Sequence, residues 1–219
     1  MFEEIVNMAN QTVLVTGASG GRQGQTGRHV SEMLLARGVP VRAFVHRSDE
    51  RSGRLRALGA ELFEGDLLDI HAVQRAVAGV SAIYFAYPVQ DGLLDATAIM
   101  AVAARSAGIT RLIDLEMLRS SPDAPTPRMR QNYLSEQVFE WAEVGATHLR
   151  ATVFYENLRA LVRSSLASQD VIRLPWGSGC TIIPLVSRLS QKPSGPYNTA
   201  WNETAGSHDE HGAQSTFAR

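Results

Sequence analysis

The chain has 219 residues, 44% of them hydrophobic and 20% charged, with a formal net charge of −1. This is the composition of an ordinary globular protein able to bury one sizeable core, and without a basic excess there is no electrostatic basis for nucleic-acid or anionic-membrane binding. No apolar run reaches the roughly 18 residues a membrane-spanning helix needs, and a single cysteine, Cys180, rules out an intrachain disulfide and disfavours a cysteine-built metal centre.

Residues 1–10 carry Glu3 and Glu4 without a basic stretch and read as a leader lacking targeting character, so a cytoplasmic location is expected. Thr12–Thr16 is short, β-branched and bounded by Gly17, the pattern of a buried strand. After a glycine-rich loop, Val30, Met33, Leu34 and Ala36 give an amphipathic helix that stops at Gly38. The alternation then repeats: strand Val41–Val45, helix Arg51–Leu58, strand Glu61–Phe63, helix Ile70–Val77, strand Ser81–Ala86, helix Leu93–Ala107, strand Arg111–Leu115. Pro122, Pro125 and Pro127 punctuate a loop before a long helix, Met129–Glu143, and His148–Val153 reads as a sixth strand. Strands alternating with helices of this length predict an α/β fold with a doubly wound parallel Rossmann sheet over residues 11–153. Residues 154–187 form a small, truncated C-terminal substrate region, with a helix over Tyr155–Leu166. Residues 188–219 are polar, without apolar periodicity, and read as a disordered tail.

Strand, then Gly17-Ala-Ser-Gly20-Gly-Arg-Gln-Gly24-Gln-Thr-Gly27, then helix, is the context that makes a glycine pattern a dinucleotide fingerprint. Gly17 makes the tight turn, and later glycines let the backbone approach a pyrophosphate that the unpaired N–H groups of the helix start attract. Ser19 and Thr26 offer hydroxyls. Two registers are compatible with the spacing, Gly17/Gly20/Gly24 and Gly21/Gly24/Gly27, and the favoured arrangement fixes Gly17 and Gly20 with an enlarged loop to Gly24 or Gly27. The alternative is a glycine turn that binds nothing.

Cofactor choice is read at the end of the second strand, where NAD-preferring enzymes place a carboxylate for the ribose 2′-hydroxyl. Here the strand ends in His46-Arg47. A guanidinium suits a 2′-phosphate, so NADP is expected over NAD, with Arg22 a second candidate cation; Arg47 as a merely solvated residue is the plainer reading. Asp66 and Leu67 follow the third strand at the sheet's carboxyl edge, where Asp66 is placed to accept from an adenine amino group, unless Asp66 or Asp69 only caps the next helix.

Taken together, Thr16-Gly-Ala-Ser-Gly20, Val41–Arg47, Gly65-Asp66-Leu67, Ser120-Ser-Pro-Asp123, His148-Leu-Arg150 and Phe154-Tyr-Glu-Asn-Leu158 resemble the NmrA-like branch of the atypical short-chain dehydrogenases/reductases, over Thr12 to Val186. The resemblance implies that Ala86 borders the nicotinamide ribose and that Tyr87 and Pro88 face the substrate; Glu116, just after the fifth strand at the sheet's carboxyl edge, and Tyr155 are expected to line the cleft. Against this, aromatics at 84, 85 and 87 suit a buried strand, and Glu116 suits a surface loop after the fifth strand. The superfamily's catalytic tyrosine and lysine stand four residues apart; here Tyr133 is followed by Gln137, and the sole lysine is Lys192. Asn132 and Tyr133 are therefore the catalytic candidates, with Glu136 beside them to orient the acceptor, or else a structural face of the helix. The histidines show no metal-ligand spacing.

Two functions are compatible with these features. One is NADPH-dependent hydride transfer to a quinone or similar small carbonyl acceptor. The other is a non-catalytic NADP-sensing regulator acting on a protein partner, or a cofactor-binding fragment.

Overall fold

The computed structural model describes residues 11–20 and 25–152, with Phe154, Asn157, Val162 and Arg163 beyond them. The leader, Arg22, Gly24, Tyr155, the rest of the C-terminal substrate region, Cys180 and the polar tail with Lys192 lie outside the described residues; within the expected helix Tyr155–Leu166, Asn157, Val162 and Arg163 are helical.

Among the described residues six strands alternate with five helices: β1 (Val13–Val15), α1 (Thr26–Ala36), β2 (Val41–Val45), α2 (Glu50–Ala57), β3 (Glu61–Glu64), α3 (Ile70–Val77), β4 (Ala82–Phe85), α4 (Leu93–Ser106), β5 (Leu112–Met117), α5 (Pro127–Ala142) and β6 (Ala146–Ala151). All pairings are parallel, in the order β3-β2-β1-β4-β5-β6. This is the doubly wound Rossmann sheet that the alternation predicts, with its order reversing between β1 and β4. None of the described helices is long and apolar enough to cross a membrane.

Side chains alternate across each strand, so the sheet feeds two cores. Leu14, Phe44, Ile83, Phe85 and Leu112 pack with Val73, Met100 and Phe139 of the helices α3, α4 and α5. Val15, Val41, Ala43 and Tyr84 pack on the other face with Leu55 of α2 and, partly buried, Val30 and Leu34 of α1. Helix α3 shows the local logic. Ala72, Val73, Ala76 and Val77 form its buried stripe, and Asp69 caps it by accepting from the His71 N–H at 2.9 Å, leaving Asp66 to an Asx turn with the Leu68 N–H.

Several boundaries differ from the sequence reading by one or two residues, and three of the shifts have a clear local cause. Helix α2 begins at Glu50 because Asp49 and Ser52 close a reciprocal capping box. Helix α5 begins at Pro127 because Thr126 caps it and proline is preorganised for the first helical position. Strand β5 runs on to Met117 because β6, itself starting at Ala146, pairs with it through Met117↔Ala151. The last change moves Glu116 from a loop into the sheet.

Candidate active site at the carboxyl edge

At the switch point, Thr16 laces β1 to β4. Its N–H donates to the Tyr84 carbonyl at 3.0 Å, and its hydroxyl accepts from the Ala86 N–H at 2.7 Å and donates to the Ala86 carbonyl at 3.0 Å. The chain then turns at once. Gly17 and Gly20 have φ of +62° and +65°, conformations that cost a side chain but not glycine, and the Gly20 N–H donates back to the Gly17 carbonyl at 3.1 Å. Gly17 is exposed over Ala86, whose carbonyl oxygen lies 3.4 Å from where a Cβ would stand.

Gly27 answers a different demand. A Cβ there would meet the Thr16 and Gly17 carbonyl oxygens at 2.6 Å, so only glycine lets α1 lie this close to the end of β1. Gly27 thus fills the helix-packing role of the fingerprint, and the enlarged loop closes on it; Gly24 lies outside the described residues. Gln25, at the N-cap of helix α1, makes no side-chain capping bond, and the first turn carries no acidic residue, leaving first-turn N–H groups open to an anion. Ser19 and Thr26 are half-buried beside this opening. Thr26 neighbours the Tyr84 hydroxyl, whose pKa burial pushes up.

At the end of β2, Arg47 is exposed. Glu64 of β3 accepts from the Ser48 N–H at 3.0 Å, and hydrogen bonding from the Ser48 side chain and N–H, with the charges of Arg47 and His46, holds its carboxyl below the usual range. A second cation, Arg51, donates to the Gly20 carbonyl at 2.9 Å and to Asp49 at 2.6 and 2.8 Å. Arg51 was hidden in the sequence by its place in a helix. Both carboxylates nearby already have donors, and Asp66 and the half-buried Leu67 continue the edge beyond β3.

On the other side of the switch point the polar groups turn inward. The Tyr87 hydroxyl donates to the Asp91 carbonyl at 2.8 Å, holding its ring in its own loop. Arg128 of α5 clamps that loop by donating to the carbonyls of Gln90 at 2.7 Å and exposed Pro88 at 3.0 Å. As the sequence suggested for at least one aromatic here, Tyr84 and Phe85 are buried. Tyr133 is half-buried on α5. Asn132 is buried, and its amide donates to the Arg128 carbonyl at 2.8 Å within its own helix. Glu136, which the sequence offered as an acceptor-orienting group, is instead buried and gripped at both oxygens by Arg150, at 2.7 and 2.5 Å.

Glu116 is the correction with most consequence. The surface-loop alternative fails: the residue is 3% exposed, and neither carboxyl oxygen has a hydrogen-bond partner among the described residues. Burial and the neighbouring Asp114 carboxylate push its pKa up to about 10. Asp114 itself is bonded to the His148 ring at 3.1 Å, and His148 to Glu140 at 3.1 Å; the Asp114 bond raises the His148 pKa above its ordinary value. Among the described residues no group of His, Cys, Asp and Glu is placed to hold a metal ion.

A parallel sheet with a glycine turn at its switch point and an uncapped helix start behind it defines a dinucleotide-binding Rossmann protein. The family model for NAD(P)H-binding proteins matches residues 21–163. The chain belongs to this NAD(P)H-binding family, in line with the NmrA-like resemblance of its motifs. It is 31% identical over 169 residues to the (4-alkanoyl-5-oxo-2,5-dihydrofuran-3-yl)methyl phosphate reductase of Streptomyces griseus, covering 75% of this chain and 55% of that protein. The triphenylmethane reductase of Citrobacter sp. superposes with a TM-score of 0.57 at 25% identity, over 71% of this chain and 55% of that one. The NADPH-dependent quinone oxidoreductase of Escherichia coli, solved with NADPH, shares the fold with a TM-score of 0.60 at 23% identity, over 71% of this chain and 54% of that one. The chain spans about half the length of the relatives it matches.

Proposed function

We propose that this chain is the cofactor-binding body of a cytoplasmic NADPH-dependent reductase acting on a small conjugated carbonyl or quinone-like acceptor. The observation that carries the cofactor site is the close packing at Gly27 and Gly17: a Cβ at either would fill the space or the conformation the turn needs. In this reading Gly17, Ser19, Gly20, Thr26 and Gly27 cradle the pyrophosphate together with the start of α1. Asp66 and Leu67 take the adenine, and Ala86 floors the nicotinamide ribose. Arg47, joined by Arg51, meets the 2′-phosphate, where two guanidinium groups and engaged carboxylates favour a dianion. Arg22 and Gly24 belong to the same loop in sequence. The bound nucleotide supplies the hydride.

The chain's own residues then position the acceptor and move its proton. Tyr87, Pro88 and Glu116 border the acceptor side, Tyr155 follows in the sequence, and Tyr133 and Asn132 lie on α5. Gln137 is neutral and cannot lower the pKa of Tyr133 as a lysine would, so a tyrosine-based acid is disfavoured. The reductase names carried by the Streptomyces and Citrobacter proteins support reduction of a conjugated small molecule.

The test is a turnover assay with NADPH and a panel of quinones, butenolides and triarylmethane dye cations. Oxidation of NADPH dependent on an acceptor supports the reading. Tight NADPH binding with no turnover across the panel favours the regulator instead, whose support is the missing lysine; by linkage its protein partner's affinity would then change with NADPH.

A further inference from the structure

Among the described residues, Glu116 is a buried carboxyl at this edge with no donor on either oxygen. It stands at the carboxyl end of β5, two residues beyond Asp114, which pairs with Phe85, the last residue of β4. Its side chain is on the face covered by α5. The groups around it are Asp114 on its own strand, Arg150 on β6, and Arg128, Ser135 and Glu136 on α5. Arg150 is engaged with Glu136, Arg128 with the carbonyls of Pro88 and Gln90, and Ser135 with Thr97 at 2.9 Å; Asp114 bonds His148 and is also the carboxylate to which a protonated Glu116 can donate. Two guanidinium groups thus lie within electrostatic range while neither bonds the carboxyl.

Ionised, this buried carboxyl would have no donor on either oxygen and a second carboxylate beside it, at a heavy cost in stability; protonated, it can donate to Asp114. Burial and Asp114 both favour the neutral acid. A carboxylic acid held neutral in a water-poor site is a proton donor at a pH where an exposed carboxyl has none to give.

We propose that Glu116 is the proton donor of the reduction, a buried carboxylic acid at the acceptor side of the β4–β5 edge that protonates the acceptor oxygen as the carbonyl is reduced. The proposal rests on the reductase reading above. In the step, the acceptor carbon gains a hydride from the bound nicotinamide nucleotide, which leaves oxidised. The Glu116 O–H bond breaks and an O–H bond forms on the acceptor oxygen, so the acceptor gains two electrons and two hydrogens. Glu116 is left as a carboxylate and recovers its proton from water after the product leaves.

The test compares the full-length wild type with Glu116→Gln, which keeps the shape and neutrality but cannot release a proton. Infrared spectroscopy at about pH 8, above the ordinary carboxyl range, reads the protonation state without turnover: the wild type shows a protonated carboxylic-acid carbonyl band that Glu116→Gln lacks. Turnover is measured with a quinone, which needs a hydride and a proton, and with a triarylmethane dye cation, which needs only a hydride. The expected result is a fall of about a hundredfold in the ratio of quinone to dye turnover in Glu116→Gln, with NADPH affinity held. The wild-type quinone rate declines toward high pH as the acid ionises. Absence of the infrared band overturns the proposal, as does an equal loss, or no loss, with both acceptors. A wild type that reduces neither acceptor overturns the reductase reading and the donor role together, which is distinct from a wild type that reduces both and is indifferent to Glu116→Gln.

Discussion

Around Gly17 and Gly27 the backbone itself is the working surface, whereas under α5 the polarity is carried by side chains buried against one another. On the β1–β2–β3 side, strain-free turns need glycine, helix α1 is left uncapped, and the charged residues Arg47, Arg51 and Glu64 sit at the rim. On the β4–β5–β6 side, Asp114, Glu116 and Glu136 are all nearly inaccessible; His148 and Arg150 bond Asp114 and Glu136, while Glu116 has no donor on either oxygen among the described residues. In the reading proposed above, the difference separates two tasks. Holding an anionic nucleotide needs exposed N–H groups and cations, while moving a proton needs an acid screened from water.

The largest effect that tests this contrast is expected at the buried ion pair. Arg150→Ala leaves Glu136 buried without its partner and should lower the unfolding free energy by about 3 kcal/mol, read by urea unfolding; adding Glu136→Gln to that variant should recover part of the loss. An effect no larger than that of an exposed pair would show that the α5 side is not a sealed electrostatic unit. Next comes Gly27→Ala. Its methyl would press on two carbonyl oxygens at 2.6 Å, and the expected loss is about 2 kcal/mol of stability, beyond the helix propensity that alanine gains, together with loss of nucleotide binding.

Glu116→Gln should act in the opposite direction. The native state holds the Glu116 proton up to about 10, while the unfolded chain releases it near the ordinary 4.5. Between those values the folded protein binds the extra proton, so wild-type stability falls as pH rises. The variant removes that slope and should be about 1–2 kcal/mol more stable than wild type in mild alkali, where the wild type is penalised for its buried acid. His148 contributes a slope of the same sign that remains in the variant: its raised pKa gives stability present in full below about 6.5 and lost as pH climbs through the folded value. The smallest effect is expected for Thr16→Val, which removes the hydroxyl bonds to Ala86 and should cost about 1 kcal/mol, with a matching weakening of nucleotide affinity.

The geometry proposed to hold the nucleotide was legible in the sequence because its demands are local. Gly17, Gly20 and Gly27 mark where the backbone must turn or approach closely, and the two-residue alternation of Val41–Val45 places Arg47 at an edge without knowledge of any partner strand. The proton half was not. Nothing near Glu116 in sequence says that β6 extends β5 past Leu115, or that Arg150 answers Glu136 from 14 residues away. Those facts come from the register of two parallel strands and the roll of one helix, which no periodicity states. The His148-Leu-Arg150 motif carried the signal in another form, since alternate residues of one strand put both cations on one face.

The most direct measurement of the central claim is calorimetric titration of NADPH and NADH into the full chain, wild type and Arg47→Ala. The account predicts that wild type binds NADPH more tightly than NADH, and that Arg47→Ala weakens NADPH by about tenfold, or about 1.4 kcal/mol, while leaving NADH nearly unchanged. Binding of neither nucleotide to the folded wild type would contradict it.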